Sequence, residues 1–236
     1  MVALLAIVLV ACGSSGGSKA AKPADTSTTI GAAPSGTLVL GAEQDAACAD
    51  WINKCAASSW GNWMMLYQTM PRVFDYARQD GVWSEVPSPM MASFPTVGTA
   101  NGKQTITYTI SDKAVWSDGQ PITSADFKYT ADQINTDKNV YDPTGYDKIE
   151  SVDATNPKVA VVTLKEPYAS WTQLFGSDYG VHPSHILEGK NRDKLMKDGY
   201  SWSGGPWIAQ WQKGVSVTLT PRSPKRLFTI RSRSMA

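Results

Sequence analysis

A mixed α/β body of the α+β kind is predicted by three observations. Several segments alternate apolar and polar residues strictly, as half-buried strands do. Strands join to strands through tight turns, and helical patterns are interspersed instead of following every strand, which excludes a regular doubly wound sheet. With 236 residues, 42% of them hydrophobic and 18% charged, the chain is long enough to bury a sizeable core.

The elements follow in order. "GTLVLGAE" predicts a short strand, Thr37 to Leu40, opened and closed by glycine. In "SSWGNWMMLYQTMPRVFDY" the apolar residues Trp63, Leu66, Tyr67 and Met70 make a helical stripe that stops at Pro71. "SPMMASFP" reads as an irregular connection. "QTITYTI" places Ile106, Tyr108 and Ile110 on one face of a strand. "KIESVDATNPKVAVVTL" predicts a hairpin with its turn at Asn156 and Pro157 and its second strand from Val159 to Leu164. "VSVTLT" alternates again near the end, and no internal repeat is visible.

The N-terminus "MVALLAIVLVAC" has ten apolar residues, Val2 to Ala11, before Cys12. The run is too short to span a hydrocarbon core of about 30 Å and reads as a signal-peptide core over residues 1–11. "LVAC" resembles the lipobox of bacterial lipoproteins, which implies a lipidated Cys12 and a chain anchored on the outer face of the cell membrane. A Lys or Arg before the apolar core is missing, which points to a start codon upstream of Met1. Residues 12–36 are small, polar and low in complexity, so they are expected to form a flexible linker with an r.m.s. reach of roughly 25 to 30 Å.

Export makes the remaining cysteines legible. With Cys12 used for lipid, Cys48 and Cys55 of "CADWINKC" are an even pair in an oxidising compartment and are expected to form a disulfide. A zinc site would need two further ligands, and none stands nearby. Charge excludes another class. The formal net charge is +1, but residues 221–236 hold five Lys or Arg and no acid, which leaves 17 basic against 21 acidic residues in the body. A mildly acidic body does not suit a grip on nucleic acid.

"VWSDGQPITSADF", residues 115–127, has a complete structural reading. Asp118 and Gly119 supply a turn, Pro121 stiffens its exit, and Thr123 with Asp126 three residues on resembles a capping box, with Asp where Glu or Gln is usual. Phe127, Ala131 and Ile134 continue a helical stripe. Trp116 is expected to plug the core beneath the turn. No nucleophile and base pair emerges from the stretch.

At these residues the chain resembles the family 5 extracellular solute-binding proteins, the substrate receptors of peptide and nickel ABC importers. "YTISDKAVWSDGQPITSADFKYT" carries the resemblance, supported in order by the hairpin with "KEPYASW", by "VHPSHIL", and by "GGPWIAQW" before "VSVTLT". The pattern departs from the family's Gly-Thr-Gly-Pro-Tyr turn at Gly204, Gly205, Pro206 and Trp207. The resemblance covers about residues 37–220. It implies a periplasmic-binding-protein-like two-lobed fold of the large peptide-receptor type, a small peptide as ligand, a permease as partner, a monomer and no cofactor. Family members run longer, and the basic tail 221–236 is unlike their continuation. The resemblance therefore implies a truncated or frame-shifted chain, with a non-binding fragment or a structural surface lipoprotein as the alternative.

Candidate ligand-binding residues are Glu43, just past the first strand, and Ser59, Trp60 and Trp63 in the following segment. A carboxylate at Glu43 suits a peptide's amino group or main-chain amide, and equally suits a solvated loop. Aromatic walls give contact area to a ligand whose backbone does the hydrogen bonding. The enzyme reading has one handle, His182 and His185 of "HPSHIL" in a metal-dependent hydrolase. Pro183 between them breaks a shared helical face and no Glu stands in the H-E-x-x-H position. A surface loop capped by Ser184 is the plainer expectation, so no metal site and no enzymatic activity are predicted.

Overall fold

The computed structural model describes residues 37–41, 44, 47–57, 67–176 and 179–222. The chain divides into two units, Met1–Leu40 and Gly41–Ala236. In the first unit, residues 37–40 form no strand, and Leu38, Val39 and Leu40 are exposed. This corrects the expected strand from Thr37 to Leu40. A four-residue apolar run makes a strand only beside a ladder partner, and the described residues of that unit supply none.

The second unit is built on a four-stranded antiparallel sheet of order β3-β4-β6-β5, from β3 (Thr96–Ala100), β4 (Lys103–Thr109), β5 (Ile149–Asn156) and β6 (Val159–Leu164). Two ribbons flank it in sequence, β1 (Phe74–Gln79) with β2 (Val82–Pro87), and β7 (Trp207–Gln212) with β8 (Ser216–Pro221). The period-two pattern fixes the register. Ile106 faces Val162, and Tyr108 faces Ala160, so one side of the central pair β4 and β6 is apolar and fully buried, while the edge strand β3 is exposed. Ile110, last of that stripe, is buried as well and bridges to Met91.

Among the described residues the α-helices are α1 (Lys54–Ala57), α2 (Ser124–Thr136), α3 (Ser184–Leu187) and α4 (Arg192–Leu195), and residues 67–69 are helical before Pro71, while Trp63 and Leu66 of the expected stripe lie outside the described residues. Only α2 is long. Thr123 caps it, and the reciprocal box with Asp126 is present. Its buried face carries Phe127, Ala131 and Ile134 and meets the sheet through an aromatic cluster. Phe127 lies 5.4 Å from Tyr108 and 4.9 Å from Phe175 between ring centroids. Phe175 holds φ at +57°, a left-handed backbone that costs about 1–2 kcal/mol. Its complete burial and the bonds of its backbone to Tyr146 Oη and Val73 N, both 2.8 Å, hold it there.

Two hairpins beyond the expected ones share a turn chemistry. Asp80 and Gly81, and Asn101 and Gly102, all have positive φ, the signature of type I′ turns whose twist matches the strands they join.

Candidate functional site

Cys12, Glu43, Ser59, Trp60 and Trp63 lie outside the described residues. What the structure describes is the frame on both sides of residues 58–66. On the N-terminal side, Cys48 and Cys55 are joined by a disulfide with Cα atoms 5.5 Å apart. The loop they close drives Ala49, Asp50, Trp51 and Ile52 into the core. Its backbone is fastened at three points: Ala49 N to Met196 O at 2.8 Å, Lys54 N to Asn139 O at 2.8 Å, and Tyr141 N to Ile52 O at 2.9 Å.

Inside the loop Asp50 is 1% exposed, and an ion in the interior needs a partner. Arg192 at the start of α4 supplies it. Its Nε donates to Asp50 Oδ2 at 2.6 Å and its Nη1 to Gln133 Oε1 at 2.6 Å, while Nη2 pairs with Asp137. Burial pushes the Asp50 carboxyl up, but His182 and Arg192 more than offset it and hold the group below its ordinary value. Burial pushes Arg192 down, and Asp50 and Asp137 more than offset that in turn.

On the C-terminal side, Thr69 is fully buried. Its hydroxyl and that of Tyr200 are 2.5 Å apart. Its carbonyl accepts from Gly204 N and Gly205 N, each at 2.9 Å. The close approach requires both glycines: an added Cβ would lie 2.4 Å from Pro71 Cγ at Gly204 and 2.3 Å from Gln68 O at Gly205. The "GGPW" turn thus seats the segment that leads out of residues 58–66. Tyr200 also gathers Trp51, Trp202 and Trp211, with ring centroids 5.3, 5.3 and 5.6 Å away. One aromatic cluster therefore touches both flanks of the segment that holds three of the four candidate ligand residues.

The two histidines turn to different partners. His185 Nε2 lies 2.8 Å from Asp118 Oδ2 on the exposed turn. His182 is buried completely, stacked on Trp51 with centroids 4.2 Å apart. This corrects the expectation of a surface loop at residues 182–185. Its cause is that His182 N donates to Thr130 Oγ1 at 2.8 Å, while Ser184 N and Oγ donate to Asp126 Oδ1 at 2.8 and 2.7 Å, so the segment is pulled onto α2. Among the described residues no group of three His, Cys, Asp or Glu side chains is placed to hold a metal ion. No local signal in the sequence marks Arg192, Thr69 or Tyr200. Arg192 meets Asp50 across 142 positions, and such pairs carry no periodicity.

A model of the family described as bacterial extracellular solute-binding proteins, family 5 Middle, matches residues 86–223, more than half of the chain. The chain belongs to this family. The probable monoacyl phosphatidylinositol tetramannoside-binding protein LpqW of Mycobacterium tuberculosis is 41% identical over 91 residues, which cover 38% of this chain and 14% of the relative. The oligopeptide-binding protein OppA of Mycobacterium bovis is 29% identical over 193 residues, 69% of this chain and 32% of the relative. Among solved structures, the periplasmic EDTA-binding protein EppA superposes with a TM-score of 0.62 at 26% identity, covering 76% of this chain and 34% of that one. NikZ of Campylobacter jejuni, solved with Ni(L-His), gives 0.61 at 17% identity, covering 77% and 34%, a likeness of fold alone.

This family 5 chain thus has the fold class of the two-lobed periplasmic binding proteins and covers part of it. It spans about a third of the length of OppA and EppA. These relatives are binding proteins by name, and the chain stands with them and not with enzymes.

Proposed function

We propose that the chain acts in an ABC importer as a substrate-binding lipoprotein, capturing short peptides outside the membrane and delivering them to a permease. The observation that carries this reading is the family match over residues 86–223, which coincides with the sheet, α2 and the turn at Gly204 and Gly205. Residues 1–11 serve as signal peptide, Cys12 carries the lipid, residues 12–36 form the linker, 37–220 the binding domain and 221–236 a basic tail. The anchored chain works as a monomer on the outer face. Glu43 meets the peptide's amino group or main chain, and Ser59, Trp60 and Trp63 line the pocket, supported by the aromatic frame at both ends of residues 58–66. Closure around the ligand then presents a changed surface to the permease. The 41% identity to LpqW over 91 residues favours a mannosylated ligand as the second reading.

Calorimetric titration of the whole chain with a mixed library of di- to pentapeptides tests the proposal. Saturable heat from peptides is the expected result. Heat from mannose oligosaccharides alone supports the second reading, and no heat from either overturns binding by this chain. Incorporation of labelled palmitate, abolished by Cys12→Ser, tests the anchor.

A further inference from the structure

His182 is fastened by its backbone, while its ring nitrogens make no hydrogen bond. Its amide donates to Thr130 Oγ1, which itself donates to Asp126 O at 2.7 Å on α2. The imidazole is completely buried, yet neither ring nitrogen has a hydrogen-bond partner. Nε2 stands 3.4 Å from Asp50 Oδ1, outside bonding geometry, and Nδ1 has no acceptor. The ring's flat face carries Trp51, tilted by only 23°. Asp50 and Trp51 both belong to the loop closed by Cys48 and Cys55, so the imidazole is one of the contacts on which that loop rests.

We propose that His182 is an acid-sensitive latch for the Cys48–Cys55 loop: the neutral ring seats Asp50 and Trp51, and a proton taken from solvent releases them. Titratable and charged groups face the ring from each element packed on it. Asp50 comes from the loop, Arg192 from α4 and Asp126 from α2. Behind these, Asp137 holds Arg192, and Tyr129 lies near both Arg192 and Asp50. Protonation would give the ring two N–H donors: Nε2 would face Asp50 Oδ1 at 3.4 Å, on a carboxylate whose Oδ2 Arg192 already engages, and Nδ1 would have no acceptor. An unpartnered charged donor in such a place is costly.

The balance of forces agrees with the geometry. Burial pushes the His182 pKa down, Asp50 and Asp126 pull it up, Arg192 pushes it down again, and it lies below the ordinary 6.5. A histidine with a depressed folded pKa binds its proton more readily when unfolded. Its contribution to stability is therefore present above about 6.5 and declines as pH falls from there toward the folded value. Loosening is expected in that window and confined first to the loop, whose amide bonds at Ala49 N and Tyr141 N report it.

The test is amide hydrogen exchange of the whole chain near pH 7.5 and near pH 5, corrected for intrinsic exchange, in wild type and His182→Gln. Opening at Ala49 and Tyr141 is expected to rise in wild type by up to about tenfold for each pH unit below the ordinary imidazole value, and to stay flat in His182→Gln. The ring's carbon resonance in wild type decides the matter should the variant fail to fold. Titration below 6.5, with the Trp51 indole signals shifting at the same midpoint, supports the latch. Titration of the ring at or above 6.5, or an equal acid response in His182→Gln, overturns it. Neither readout involves peptide, so a failure of the latch and a failure of ligand binding are separate results.

Discussion

The indole Nε1 of Trp116 donates to Oδ2 of Asp126 at 3.2 Å, ten residues away in sequence and wholly inside the protein. The same carboxylate accepts from Thr123 N at 2.9 Å and from both the amide and the hydroxyl of Ser184. One buried side chain thereby joins the turn at Asp118 and Gly119, the cap of α2 and the segment around His182. That junction explains why the stretch 115–127 is scaffold: each polar group at its centre is used to hold the fold.

Removing the junction should be costly. Asp126→Ala leaves the donors of Trp116, Thr123 and Ser184 without an acceptor, and a loss of about 3 kcal/mol or more is expected in urea unfolding. Thr123→Ala, which removes only the cap, is expected to cost about 1 kcal/mol. Equal effects from the two substitutions would contradict a hub at Asp126.

Glycine at 205 is required for close packing, and glycine at 119 for backbone angle. Gly119 has φ at +90° with open space around a Cβ, so Gly119→Ala should cost about 1–2 kcal/mol. Gly205→Ala drives a methyl into Gln68 O and should cost more, with loosened exchange at residues 67–71. The reverse order in thermal unfolding would show that the turn at 204–205 does not seat that segment as described.

The disulfide closes a short loop, so chain entropy alone gives it roughly 2–3 kcal/mol. Reduction is expected to lower stability by that amount and to expose Trp51 to acrylamide quenching. Thiol titration of the unfolded, unreduced chain should find neither Cys48 nor Cys55 free. Two free thiols at these positions would refute the bond.

Asp50 and Arg192 form a buried pair, and removing one partner strands the other. Asp50→Asn is expected to cost about 3–5 kcal/mol at neutral pH. Because the folded carboxyl lies below its ordinary 3.8, the pair's contribution is present above that value and is lost as pH falls through the folded one. The gap between wild type and Asp50→Asn in acid denaturation should therefore narrow in strong acid. A gap independent of pH would exclude the carboxylate as the source.

Much of the scaffold was legible because it is written locally. The capping box at Thr123, the stripe of Phe127, Ala131 and Ile134, the alternation in β4 and β6 and the turn at Asn156 all depend on residues within a few positions of one another. The hairpins at Asp80–Gly81 and Asn101–Gly102 carried the same kind of signal, a turn pair between alternating segments, and went unread. Burial of His182 was not legible: a histidine between a valine and a proline looks like loop until Trp51, 131 positions earlier, is laid against it. The Arg192 network and the grip of Thr69 on the glycine turn are equally nonlocal. Of the proposed ligand contacts, sequence supplies the residue types, and structure supplies the aromatic cluster at the described flanks of residues 58–66.

In the proposed function, ligand is met at Glu43 and at Ser59, Trp60 and Trp63, and stretch 115–127 serves as scaffold. Hydrogen exchange of the whole chain with and without saturating peptide tests it most directly. Protection on binding is expected in fragments covering residues 41–46 and 58–66, with no change across 115–136. Protection centred on Trp116 to Phe127, with residues 58–66 unaffected, would contradict it.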